Sequence, residues 1–123
     1  MKEELKNIER IEVKNAFPTP IAMTIIPEYP KKNIKLKKTI LAREKKFGKP
    51  ENYSSNIGGW HSDRTMTKWG GKQVNEIIDS AKNLANQMTA LRNGKPQDFE
   101  WECNAWSNIN RKGDSNEFHI HPG

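Results

Sequence analysis

The chain has 123 residues, a net charge of +6, 33% hydrophobic residues and a mean hydropathy of −0.95. That length holds one domain or part of one, and so polar a composition leaves little apolar surface to spare for a core. No run approaches the roughly 18 apolar residues of a membrane span, Met1–Lys6 contains no apolar leader, and the lone Cys103 excludes an internal disulfide, so a reducing cytoplasm is the expected compartment.

Residues 1–14 are densely charged and read as a flexible tail. Phe17-Pro18-Thr19-Pro20 follows as a stiff extended element, because each proline fixes its own φ and keeps its predecessor out of the helical region. Ile21 to Ile26 reads as a short strand ended by Pro27, and the entry prolines suit a sheet edge. From Asn33 to Lys46 the spacing of Ile34, Leu36, Ile40 and Leu41 predicts a helix with a narrow apolar stripe, closed by Gly48 and Pro50. Between Lys31 and Lys49 nine basic residues face one acid, Glu44; this segment carries +8, leaving −2 for the rest of the chain. The lysines have neither interleaved aromatics nor arginine forks beside them, so a solvated helix face is expected and nucleic acid is not the expected partner.

Asn52 to Gly71 forms a long loop holding Gly58-Gly59-Trp60-His61-Ser62 and Trp69-Gly70-Gly71. Loops of this length in a small domain are functional or disordered, and the tryptophans argue against disorder. Gln73 to Asn93 is the clearest helix: Val74, Ile77, Ile78, Ala81, Leu84, Ala85, Met88 and Leu91 recur every three or four residues, and Gly94 and Pro96 end it. At about 1.5 Å per residue it would run roughly 30 Å, enough to back a sheet. Phe99 to Ile109 reads as a long strand whose odd positions face the helices, leaving Trp106 and Asn108 on the other face. Arg111 to Asp114 makes a turn, and Phe118-His119-Ile120-His121 opens another strand.

His119 and His121 carry the most chemistry. On a strand, residues i and i+2 share a face, so both imidazoles are presented to one point, as half of a metal site. Neutral imidazole suits iron, zinc, copper or nickel. Trp106 and Asn108 are candidate pocket walls, as are Trp60 and His61 in the glycine-rich loop; each has a plainer role open to it, as core packing for Trp106 and as loop anchors for Trp60 and His61. No phosphate loop is present, since neither glycine pair is followed by Lys-Ser/Thr.

The run Ala105-Trp106-Ser107-Asn108, then Gly113, Asn116 and His119-Ile120-His121-Pro122-Gly123, resembles the opening of the catalytic core of 2-oxoglutarate/Fe(II)-dependent oxygenases of marine bacteria and their phages. Ala16-Phe17-Pro18-Thr19-Pro20-Ile21 and the Asn56-Ile57-Gly58-Gly59-Trp60-His61-Ser62 loop match the same family, in order, so the resemblance runs from about Asn15 to the last residue. It implies an α+β fold, an incomplete double-stranded β-helix (a cupin-like jelly roll) backed by two helices. Residues 15–123 would then be the N-terminal part of a single domain, in a bacterial or phage-infected cell. Fe(II) and 2-oxoglutarate are the implied cofactors. His119 matches the first iron ligand, while His121 occupies the slot where the superfamily places a carboxylate, as a ligand or turned away beside the metal. The distal histidine and the keto-acid-binding residue have no counterpart here, so a C-terminal half or a homodimer partner would complete the sheet. Two other readings stand beside this one: a self-sufficient three-histidine metal site using His61, His119 and His121, and a basic nucleic-acid-binding module acting through Lys31–Lys49.

Overall fold

The computed structural model describes residues 19–121. The expected N-terminal tail lies outside the described residues, as do Phe17-Pro18 and Pro122-Gly123. The elements in order are α1 (Tyr29–Phe47), β1 (Asn56–Ile57), β2 (Trp60–His61), α2 (Met66–Trp69), α3 (Gly71–Met88), α4 (Ala90–Asn93), β3 (Asn108–Ile109) and β4 (Ser115–Asn116).

Helix α1 starts four residues before the position expected from periodicity. Pro30 sits in its first turn, where a missing N–H costs nothing and the fixed φ is already helical. Gly48, at φ 70°, ends the helix and donates its N–H to the Glu44 carbonyl at 2.7 Å. Helix α1 packs on α3, and the ion pair from Lys32 to Glu76 at 3.0 Å joins the two. The cations of α1 divide by direction. Lys32 and Arg43 turn inward to carboxylates, whereas Lys31, Lys35, Lys37, Lys38, Lys45 and Lys46 remain in solvent.

The predicted long helix is broken near its end. Thr89 interrupts it because its Oγ1 donates to the Asn86 carbonyl at 2.6 Å and accepts the Gln97 N–H at 2.7 Å. A hydroxyl that bonds nearby backbone competes with the helical ladder. The last turn resumes as α4, and Gly94 closes it at φ 75°.

The apolar core is small and lies where α3 begins: Trp60, Met66 and Val74 are buried there. Gly70 allows the tight α2–α3 junction, because a Cβ at that position would stand 2.7 Å from the Met66 carbonyl oxygen. The far end of the α3 face is less covered, with Leu91 69% exposed.

Strand formation is sparser than alternation alone suggests. Two antiparallel ladders form: Asn56 pairs with Asn116 and Ile57 with Ser115, while Trp60 pairs with Ile109 and His61 with Asn108. The expected strand at Ile21–Ile26 is not formed, and Ile21, Met23 and Ile25 are exposed. Over Phe99–Ile109 pairing with other backbone begins only at Ala105, with a bridge to Thr65, a bond from the Ser62 N–H to the Ser107 carbonyl and the two residues of β3. Phe118–His121 joins no ladder either, and Phe118 and Ile120 are 109% and 85% exposed. The reason is common to all three. A strand gains its hydrogen bonds only from a neighbour, and among the described residues Ile21–Ile26, the first part of Phe99–Ile109 (residues 99–104) and Phe118–His121 have no strand beside them. A polar anchor holds Phe99 and Trp101 at α3: the Phe99 N–H and the Trp101 Nε1–H both donate to Asn86 Oδ1, at 3.2 and 2.6 Å.

What positions the later part of the chain is a seam between residues 60–66 and 105–109. Beyond the β2–β3 ladder, the Ser62 N–H donates to the Ser107 carbonyl at 3.0 Å and the Ser107 N–H donates to Ser62 Oγ at 2.9 Å. The Met66 N–H donates to the Ala105 carbonyl at 3.0 Å. Ser62 is fully buried within this seam. Gly58 and Gly59, at φ 67° and 62°, turn the chain between β1 and β2, a pair of left-handed positions that residues with a Cβ adopt only under strain.

Candidate metal centre

The seam sets the geometry of a cleft of about 470 Å³ lined by Ser54, Ser55, His61, Arg64, Trp106, Asn108, Asn116, His119, Ile120 and His121. Successive strand residues point to opposite sides, and β2 shows the consequence. Trp60 goes into the core, where its Nε1–H donates to the Lys49 carbonyl at 3.0 Å. His61 goes to the cleft wall. Trp60 is therefore a loop anchor and not part of the cleft lining. Trp106 and Asn108, expected on the non-helix face, both line the cleft.

His119 and His121 face the same concavity, with their Nε2 atoms 3.0 Å apart. Two nitrogens bound to one ion at about 2.1 Å and at right angles would be separated by about 3.0 Å. The pair is spaced as adjacent ligands of a six-coordinate ion would be. His119 Nδ1 lies 2.8 Å from the Glu117 carbonyl, and a carbonyl can only accept, so Nδ1 carries the proton. Its Nε2 then has a free lone pair directed at the cleft. Nε2 of His121 donates to that lone pair in this structure and would exchange tautomer to ligate an ion.

Aromatic rings hold the pair in place. Trp106 stacks on His121 with centroids 5.8 Å apart and planes 16° from parallel, and on His61 at 6.1 Å and 14°. His61 is buried and its Nδ1 proton goes to the Ser62 carbonyl. It touches the site through Trp106. Among the described residues no three His, Cys, Asp or Glu side chains gather as a metal-binding group, so the structure brings two of the three histidines together as donors.

Below the cleft, Asp63 gathers four donors. Its Oδ1 accepts from Trp69 Nε1 at 2.9 Å and from the Thr65 N–H at 3.1 Å; its Oδ2 accepts from Thr65 Oγ1 at 2.8 Å and Arg43 Nη2 at 3.2 Å. Burial pushes the Asp63 carboxyl up, but the bonds from Trp69 and Thr65 and the Arg43 charge outweigh it and hold the group below its ordinary value. Arg43 also grips Glu51 with two bonds, at 3.0 and 2.7 Å. This pins residues 51–63 to α1. On the other side Arg111 clasps Glu44 at 2.7 and 2.8 Å, fixing the turn before β4 to the same helix.

Sequence reasoning missed Ser54, Ser55, Arg64 and Asn116 as cleft residues. Arg64 had one available signal, its place three residues after His61 in the same loop. No family model, curated protein or solved structure matches this chain. No helix of the described residues is long and apolar enough to cross a membrane.

Proposed function

We propose that the cleft is part of the mononuclear iron centre of an Fe(II)/2-oxoglutarate-dependent oxygenase, with His119 and His121 as two of the protein ligands. The observation that carries this reading is the 3.0 Å separation of two Nε2 atoms on one wall of the cleft. The order of the motifs along the chain supports it independently.

Iron bound with open positions supplies the oxidation of a substrate at the expense of O₂ and the keto acid. This chain's residues bind and orient. Glu117, through its carbonyl, fixes the His119 tautomer. Trp106 packs against His121 and limits its rotation, and Asn108 offers an amide to whatever enters. An imidazole at position 121 in place of a carboxylate leaves the site one charge more positive, which favours an anionic ligand beside the metal.

The remaining ligand and the keto-acid anchor would come from a C-terminal half or a second copy that adds strands and completes a jelly roll. The unpaired, exposed Phe118–His121 segment supports that arrangement. Alone, the chain would turn over little or nothing. The self-sufficient three-histidine site has less support, because the His61 ring is stacked on Trp106 and among the described residues no three potential ligand side chains gather as a metal-binding group.

Calorimetric titration of the metal-free full chain with Fe(II) under argon tests the reading. One site is expected. Replacing a partner that only orients a ligand costs about tenfold or more in metal affinity, so His119→Ala and His121→Ala should each exceed that loss. His61→Ala should stay within about twofold of the parent. Absence of binding, or an equal loss in His61→Ala, would contradict it.

A further inference from the structure

We infer that the cleft is built to hold a small molecule bearing an oxyanion, a carboxylate or a phosphate, and that Arg64 is the residue that grips it. Among the described residues no Asp or Glu lines the cleft; its polar groups are hydroxyls, amides, imidazoles and one guanidinium. An uncompensated cation facing such a wall selects for negative charge.

The arginines of this region differ in what they hold. Arg43 and Arg111 are each committed to carboxylates through paired bonds. Arg64 follows Asp63 directly, yet the Asp63 oxygens are filled by Arg43, Thr65 and Trp69. Among the described residues Arg64 has no ion pair. Its guanidinium carbon lies 5.7 Å from the centre of the Trp106 ring, which leaves the N–H fork available for bidentate bonding to an oxyanion. The same ring stacks on His121. One indole thus sets both the arginine and the donor pair, and a ligand held at Arg64 has its remainder beside the histidines. The cleft volume falls within the range of small-molecule sites, roughly 300–1,000 Å³.

The anion site stands on this geometry alone. That its occupant is the molecule to be oxidised rests on the iron-centre reading, and the keto acid, itself a carboxylate, is the competing source.

The test uses the full chain in chelator, titrated with succinate and with inorganic phosphate by NMR. Saturable binding of at least one is expected. Arg64→Ala should weaken it by about tenfold or more, the scale of a lost charge-assisted bond, and Arg64→Lys should restore part, since charge returns without the fork. Because the anions are titrated in chelator and Fe(II) is titrated without added anion, failure of the anion site is read separately from failure of the metal site. If neither anion binds, or if Arg64→Ala binds as well as the parent, the role of Arg64 is overturned. Addition of 2-oxoglutarate to the Fe(II)-loaded chain should leave the succinate site free; displacement would make Arg64 the keto-acid anchor and overturn the substrate assignment.

Discussion

Asp63→Asn should loosen the loop that carries His61 and Arg64 while preserving its shape. The substitution keeps Oδ1, so the bonds from Trp69 Nε1 and the Thr65 N–H survive. It replaces Oδ2 with an NH₂ that faces an Arg43 N–H at 3.2 Å, donor against donor, while Thr65 can rotate its hydroxyl to accept. The loss is therefore one charge-assisted bond of ordinary length, in a carboxylate about one-third exposed (35%). A bond to a charged group is worth about 1.5–3 kcal/mol when buried, and solvent screening lowers this, giving about 1–2 kcal/mol. For a domain of this size that is a fall in melting temperature of about 3–10 °C. Asp63→Ala forfeits all four bonds and should cost about 2–4 kcal/mol. Thermal unfolding followed by circular dichroism at pH 7 reads both variants. Midpoints within about 1 °C of the parent in both would refute the claim that Asp63 is the junction of α1, α2 and the cleft loop.

Acid should destabilise the fold through two carboxylates. The hydrogen bond from Arg111 is the main cause holding Glu44 below its ordinary value, with burial opposing and the Arg111 charge assisting, and Asp63 is lowered as described. Depressed folded-state values mean that both contributions are complete above the ordinary carboxylate range near pH 4 and are lost as pH falls through the folded-state values; urea midpoints measured from pH 6 to 2 should fall there, with a shallower fall in Glu44→Gln. Gly59→Ala should destabilise by about 1–3 kcal/mol, since φ is 62° and the new Cβ would lie 2.9 Å from the Ile109 carbonyl oxygen; an unchanged denaturation midpoint would contradict the β2 register. In the metal-free chain, long-range ¹⁵N correlation spectra should show His119 as the Nδ1–H tautomer, and an Nε2–H signature would contradict the bond to Glu117.

Helices were legible because their signals are local. The apolar period of Val74, Ile77, Ile78 and Leu84 found α3, and Gly48 and Gly94 marked two of the ends. The start of α1 was also written in the sequence, in Pro30, but apolar spacing alone placed it too late. The break at Thr89 was not legible, because it depends on a bond to Gln97 that only the folded chain brings close. Strands fared worst. Alternation at Ile21–Ile26 and Phe99–Ile109 records which face a segment would bury, and not whether a partner backbone is present to pair with it. At the site, strand alternation placed His119 with His121 and Trp106 with Asn108. The same rule, applied to the adjacent Trp60 and His61, would have sent one to the core and one to the cleft. Arg64 had only its place near His61 to point to it, since its significance comes from Trp106, a contact between distant parts of the chain.

X-ray absorption at the iron edge of the Fe(II)-loaded full chain would count the imidazoles bound to the ion. The spacing of His119 and His121 predicts two imidazole nitrogens bound to the ion, falling to one in either single alanine variant and staying at two in His61→Ala. An ion bound by no imidazole, or by a third that disappears with His61, would contradict the account.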